Sequence, residues 1–240
     1  MQWRVTMGLA LAALVALPAL AVGQTCPEPL RGARRLVLVT APTMAATAAT
    51  LQLFARGSPA MPWRPVSVPE RALLGRAGMA WGYRFRGLAR RGEPIKTEGD
   101  KRAPAGVYAI GRSFGFAALR RRGYLRLTED TVCVDDPSSP AYNTIASRST
   151  IGPHVHAEHM RRASLYRHGL LVDYPTSRAA RAGSCVFIHV WLSPNYGTSG
   201  CVALPEARVE ALQDFAAGGA VLAVLPKPAL PRFAGCLPVN

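Results

Sequence analysis

The sequence predicts a single, mainly β domain with a few short helices. Three observations support this. Apolar residues recur in short runs separated by turn formers, whereas long helical periodicity is scarce. The chain has 240 residues, 49% of them apolar and 18% charged, which suits one globular unit with a real core. No internal repeat and no second domain is visible.

In chain order, Leu36-Val-Leu-Val39 reads as a buried strand, and Thr50 to Phe54 and Trp63 to Val68 read as strands with alternating faces. Tyr83-Arg-Phe85 is a further strand candidate. Residues 98–106 are rich in turn formers and lead into a strand at Val107 to Ile110. Asp135 to Pro140 is a loop by composition. Ala157 to Tyr166 is expected as a short helix. Leu170 to Tyr174 and Cys185 to Trp191 are strong strands. Pro205-Glu206 opens a helix whose inner face is Val209, Leu212 and Ala216, ended by Gly218-Gly219. Val221 to Leu225 closes with a strand, and Pro226 to Asn240 is expected as an extended tail.

The N-terminus reads as a secretory signal. Arg4 precedes the apolar run Gly8 to Leu20, and Ala19-Leu20-Ala21 has the small-x-small pattern of a cleavage site. The run is shorter than the ~20 residues a transmembrane helix needs. The expected organisation is a signal peptide at 1–21, a lead-in at 22–34, the domain at 35–226 and a tail at 227–240. The product is exported, with no membrane span after cleavage.

The formal charge is +15, and all but one of that excess survives removal of residues 1–21. Such a field favours polyanionic partners. No nucleic-acid-binding signature accompanies it, so an anionic wall or lipid surface fits better than nucleic acid. Arg120-Arg121-Arg122 is the one tight basic run and reads as a solvated face.

Five cysteines in an exported chain leave one over after pairing: Cys26, Cys133, Cys185, Cys201 and Cys236. Sequence does not fix the pairing. Cys26 and Cys236 would staple the termini, which leaves Cys133 with Cys185 and Cys201 free; the alternative is that some are buried thiols.

The free cysteine has a chemical context. Cys201 follows Gly200 and precedes the helix at Pro205, whose dipole would favour a thiolate. Backbone N–H groups of Gly200 and Cys201 could form an oxyanion hole. His189 ends an apolar strand, and a hairpin-length loop would return the chain to Cys201, placing a base beside the nucleophile.

At these residues the sequence resembles the L,D-transpeptidase catalytic domain, also called the YkuD domain. His189 followed by Thr198-Ser199-Gly200-Cys201 is similar to that family's histidine and Ser/Thr-x-Gly-Cys motif. Lys96 to Val107, Asp135-Asp136-Pro137, Tyr142-Asn143, Glu158-His159-Met160 and Leu165-Tyr166-Arg167 extend the likeness over Arg35 to Pro226. The resemblance implies a β-sandwich domain and acyl transfer on peptidoglycan stem peptides through a thioester on Cys201. It makes His189 the base, oriented by a backbone carbonyl at Val190 or a neighbour, with Thr198, Ser199 and Gly200 supporting the site. Glu158, His159 and Trp191 would line the cleft. No cofactor and no metal is implied. Three features depart from the family pattern: Ser199 stands where many members have histidine, Val202 and Ala203 where many have arginine or asparagine, and the His-to-Cys spacing is short. They leave a hydrolase using the same pair as one alternative, an L,D-carboxypeptidase or endopeptidase. A non-catalytic wall-binding protein is a second.

On a strand His154 and His156 would share a face while His159 points away, and on a helix only His156 and His159 align, so the three read as a surface cluster in preference to a metal site. Asp100 suits a turn-stabilising role.

Overall fold

The computed structural model describes Met1 and residues 26–117 and 123–238. The expected signal peptide, apart from Met1, and the Arg120–Arg122 run lie outside the described residues. In chain order the strands are β1 Arg35–Ala41, β2 Ala48–Ala55, β3 Arg64–Pro65, β4 Glu70–Leu73, β5 Met79–Trp81, β6 Ala103–Gly115 and β7 Leu125–Arg126. There follow β8 Thr131–Val134, β9 Ile145–Ser147, β10 Ala157–His159, β11 His168–Val172, β12 Phe187–Val190, β13 Val202–Leu204 and β14 Ala220–Pro226. The α-helices are α1 Glu28–Arg31, α2 Arg148–Ile151 and α3 Glu206–Ala216.

The domain is mainly β, as the pattern of short apolar runs requires. Its main sheet runs β1-β14-β6-β11-β12-β13-β4-β2, and β2 pairs back onto β1. The sheet thus closes on itself as an eight-stranded barrel. Closure works because β1 is buried along almost its whole length and pairs on both edges. Leu36 lies opposite Val221 on the parallel side and Phe54 on the antiparallel side. Leu36, Val37, Leu38 and Val39 are each at most 3% exposed, and each contributes about 1.5–3 kcal/mol of transfer free energy. A closed sheet also leaves no edge strand for aggregation.

α3 packs over β11 and β12, with Val209, Leu212 and Ala216 buried as the periodicity predicts. Its buried Gln213 donates through Nε2 to the Phe114 and Gly169 carbonyls, 2.9 Å each, so a polar group in the core is satisfied while pinning the helix to two strands.

Four local expectations change. Within the Trp63–Val68 run the regular strand is only Arg64–Pro65: beyond it Val66 N–H still donates to Leu53 O at 2.9 Å, but the Leu53 N–H is taken by the Ser67 side chain, which ends the ladder. Tyr83–Leu88 is a 3-10 turn between Gly82 and Ala89. Residues 157–166 form β10 and a 3-10 turn at Ser164–Tyr166, since pairing of Glu158 with Cys133 overrides the local helical pattern. Residues 227–238 are no extended tail: Lys227–Phe233 is a 3-10 segment, and Ala229, Phe233, Cys236 and Leu237 are buried.

Two disulfides are formed, Cys26–Cys236 and Cys133–Cys185, and Cys201 is free. The first joins the two ends of the described chain. The second ties a small separate sheet, β10-β8-β9, to the segment entering β12. Disulfides of this kind belong to an oxidising compartment, as expected of an exported protein. No helix among the described residues is long and apolar enough to cross a membrane.

Candidate active site

β12 and β13 run parallel, with Ile188 opposite Val202 and His189 opposite Ala203. Because side chains alternate across a strand, Ile188, Val190, Val202 and Leu204 enter the barrel core. His189, Cys201 and Ala203 face the other way, into a cavity of about 480 Å³. Strand spacing of about 4.8 Å and a rise of about 3.3 Å per residue put the His189 and Cys201 backbones about 8 Å apart, within reach of an imidazole.

The parallel pairing corrects the hairpin expected from sequence. Between the strands, the chain docks onto a neighbouring loop: Thr198 N–H donates to Leu74 O at 2.9 Å, and Arg76 N–H donates to Thr198 O at 2.8 Å. It then re-enters the sheet in the same direction as β12. Two glycines permit the approach. A Cβ at Gly197 would lie 2.8 Å from Arg76 Cα. Gly200 has φ +148°, and its Cβ would lie 3.0 Å from Arg102 O.

Thr198 closes the turn that leads into Cys201. Its Oγ1 donates to Cys201 O at 2.8 Å and accepts the Gly200 N–H at 3.0 Å. This corrects the expected oxyanion pair, since the Gly200 donor is already engaged. Among the described residues no acceptor takes the Cys201 N–H.

The thiol is 8% exposed. Its Sγ accepts the Phe187 N–H at 3.3 Å and points its own hydrogen at Cys185 O, 3.5 Å away. Burial pushes it up to about 12; the Phe187 N–H opposes the rise, Glu158 adds to it and Lys96 opposes it. The thiolate expected from a helix dipole is therefore absent at rest. The reason is structural: β13 intervenes, and α3 begins only at Glu206.

His189 is 5% exposed and held on both sides. Its Nδ1 lies 2.7 Å from Val190 O, so Nδ1 carries the proton and Nε2 is left as the basic nitrogen. The Tyr166 ring meets the imidazole edge-on, with centroids 5.4 Å apart. Burial lowers the imidazole to about 4, against the Val190 hydrogen bond, so it is neutral at pH 7. A neutral thiol and a neutral imidazole share the cavity, and no hydrogen bond joins Nε2 to Sγ in this arrangement.

The cavity lining carries both signs of charge: Arg76, Lys96 and Lys101 are cationic, and Asp135 and Glu158 are acidic, with His156 beside Asp135. Asp135 and His156 Nδ1 are 2.5 Å apart. Glu158 accepts from Tyr166 Oη at 2.8 Å. Burial raises the Glu158 carboxyl, with Tyr166 opposing and Asp135 adding to the rise. The acidic residues belong to β10 and the loop after β8, and the Cys133–Cys185 bridge holds them in place.

Of the residues singled out in sequence, Cys201, His189, Thr198, Ser199, Gly200 and Glu158 all line this cavity. Val190 supplies the carbonyl that orients the imidazole. Two expected lining residues do not reach it. His159 is next to Glu158 on β10 and so faces away; its Nδ1 is buried without a partner. Trp191 lies just past the end of β12, where its N–H is bound to Leu204 O and the chain leaves the sheet. Asp100 serves its turn, accepting from Lys96 Nζ at 2.6 Å, Thr97 N–H at 3.0 Å and Arg102 N–H at 2.9 Å. Among the described residues, no group of three or more His, Cys, Asp or Glu side chains is placed to hold a metal.

No protein-family model matches the chain, and no curated protein matches it. The site is therefore read on its own geometry. Sequence reasoning passed over Arg76, Lys101 and the role of Tyr166. Tyr166 sits in a stretch already quoted for its resemblance, but Arg76 has no local signature. It reaches the site only because Thr198 docks beside it.

Proposed function

We propose that the chain is an exported cysteine acyltransferase of the L,D-transpeptidase type, acting on peptidoglycan stem peptides in the periplasm or cell envelope. The observation that carries the reading is the pairing of the single free thiol with an imidazole in one cavity, Nε2 being left basic by the Nδ1–Val190 contact. In the reaction, Nε2 takes the Sγ proton as sulfur attacks the stem amide carbonyl. The S–C bond forms, the C–N bond breaks, and the imidazolium returns the proton to the departing amine. An amine on a second stem then attacks the thioester and releases the thiol. The Cys201 N–H is the donor for the tetrahedral oxygen. Both partners are neutral at rest, so the sulfur must lose its proton to Nε2 in the course of acylation.

The test is product analysis. Mature protein incubated with disaccharide-tetrapeptides is expected to yield a cross-linked dimer lacking one terminal D-amino acid. Cys201→Ala and His189→Ala are expected to yield none while remaining folded. Trimmed monomers without dimer would replace transfer with hydrolysis. Unchanged substrate, or an active Cys201→Ala variant, would overturn the assignment.

A further inference from the structure

We infer that Arg34, Arg35 and Arg56 form a phosphomonoester-binding cleft at one end of the barrel, remote from Cys201. The inference does not rest on the acyl-transfer reading.

The cleft has a volume of about 670 Å³ and opens where β1 and β14 begin and β2 ends. The three arginines line it, and no carboxylate does. Among the described residues, none of the three enters an ion pair. Gly32, Gly57 and Gly218 also line the cleft, so a ligand meets backbone and guanidinium groups instead of bulky side chains.

Arg56 is the fixed part of the site. Its Nε donates to Ala33 O at 2.7 Å and its Nη2 to Leu30 O at 2.6 Å, and its guanidinium carbon lies 4.1 Å from the Trp63 ring centroid. Neither hydrogen bond uses Nη1, which is left to donate. Burial lowers the Arg56 guanidinium, and no carboxylate opposes that effect. A cation held in place and lacking a counter-ion binds an anion at little cost in ordering. Arg34 O accepts the Arg56 N–H at 2.9 Å, which joins the two segments. Arg35 is placed by a glycine: a Cβ at Gly218 would collide with Arg35 Nη1, so the guanidinium can lie over the turn between α3 and β14.

A phosphomonoester suits this cluster better than a carboxylate. It carries about −1.5 to −2 charge at pH 7 and three acceptor oxygens, enough for more than one guanidinium. Soluble phosphates and phosphate-terminated lipid headgroups share the group. The cleft is also well separated from the thiol. Ala203 of β13 is level with Leu73 of β4, and Leu73 with Ala48 of β2. β2 then runs to Ala55 at the cleft, about 23 Å along the strand at about 3.3 Å per residue. Both β2 and β13 are antiparallel to β4, so they run the same way, and Cys201 precedes β13. A phosphate bound in the cleft therefore leaves the Cys201 cavity open.

The experiment is calorimetry on the mature protein at low salt, with inorganic phosphate as the first probe. Vesicles of phosphatidylcholine with and without phosphatidic acid are the second. Arg34→Gln/Arg35→Gln should weaken binding at least about tenfold. Gly32→Glu should do the same with all three arginines kept, because a Cβ there meets nothing within 4 Å and the new carboxylate enters the cleft. Gly32→Gln, and Arg90→Gln/Arg91→Gln outside the cleft, should bind within about twofold of wild type. This pattern with inorganic phosphate assigns the cleft to a soluble phosphate. The same pattern with phosphatidic acid vesicles alone assigns it to a lipid headgroup. No binding to either probe, acetate binding as tightly as phosphate, or an equal loss in the Arg90/Arg91 variant overturns the cleft.

Discussion

In the unliganded protein, Cys201 is expected to react with iodoacetamide far more slowly than an ordinary thiol. The thiol sits at about 12 instead of 9.0. Below pH 9 this lowers the thiolate fraction about a thousandfold, equivalent to about 4 kcal/mol. Burial is the main cause, so limited access will also slow the reagent; the pH profile separates the two effects. A merely shielded thiol of ordinary acidity gives a low rate that bends near pH 9 and is flat by about pH 10.5. A thiol held protonated gives a rate that keeps rising about tenfold per pH unit to pH 10 and beyond. Glu158→Gln tests the electrostatic contribution. Its charge raises the thiol, so removing it should speed alkylation at pH 8. The assay is mass-spectrometric labelling of the disulfide-intact protein, in which the other four cysteines are bonded. A rate that bends near pH 9 and is flat by about pH 10.5, or slower labelling of Glu158→Gln, would refute the reasoning.

The remaining expectations concern stability and geometry. His189 is lowered from 6.5 to about 4, so the fold favours the neutral ring. Its contribution, about 3 kcal/mol, is complete above pH 6.5 and is lost as pH falls through about 4. Urea titrations between pH 7 and pH 4 should therefore show a steeper loss for wild type than for His189→Gln, and parallel curves would contradict this. Gly200→Ala places a Cβ 3.0 Å from Arg102 O at φ +148°, so it should cost about 1–3 kcal/mol and most of the activity; an unchanged melting temperature with full turnover would count against the turn described. Replacing Cys26 and Cys236 by alanine opens a loop of 210 residues. The chain-entropy model sets the loss at about 5 kcal/mol, and chemical denaturation showing under about 1 kcal/mol would mean that the staple is idle. Denatured without reductant, the mature protein should titrate one thiol; three or five would contradict the two bridges.

Much of the site could be read from the linear chain because its parts are chemically distinctive and close together in sequence. An odd cysteine in an exported chain pointed to a free thiol, and Gly200 before Cys201 marked a tight turn. His189 at the end of an apolar strand marked the candidate base. Cys26 with Cys236 was one pairing the sequence left open, and the structure forms it. The mainly β class followed from short apolar runs, and α3 from its three-and-four spacing.

Long-range pairing decided the rest. Strand order, barrel closure through β1 and β2, and the parallel run of β12 with β13 depend on hydrogen bonds between segments far apart in sequence, to which local periodicity is blind. For the same reason residues 157–166 became a strand and a turn, and residues 227–238 folded into the core. The ionisation of the site is also a tertiary property. The local surroundings of Cys201 argued for a thiolate, but desolvation depends on how much protein encloses a group. Burial reversed that expectation, and docking of Thr198 brought Arg76 to the nucleophile from more than a hundred residues away in the chain.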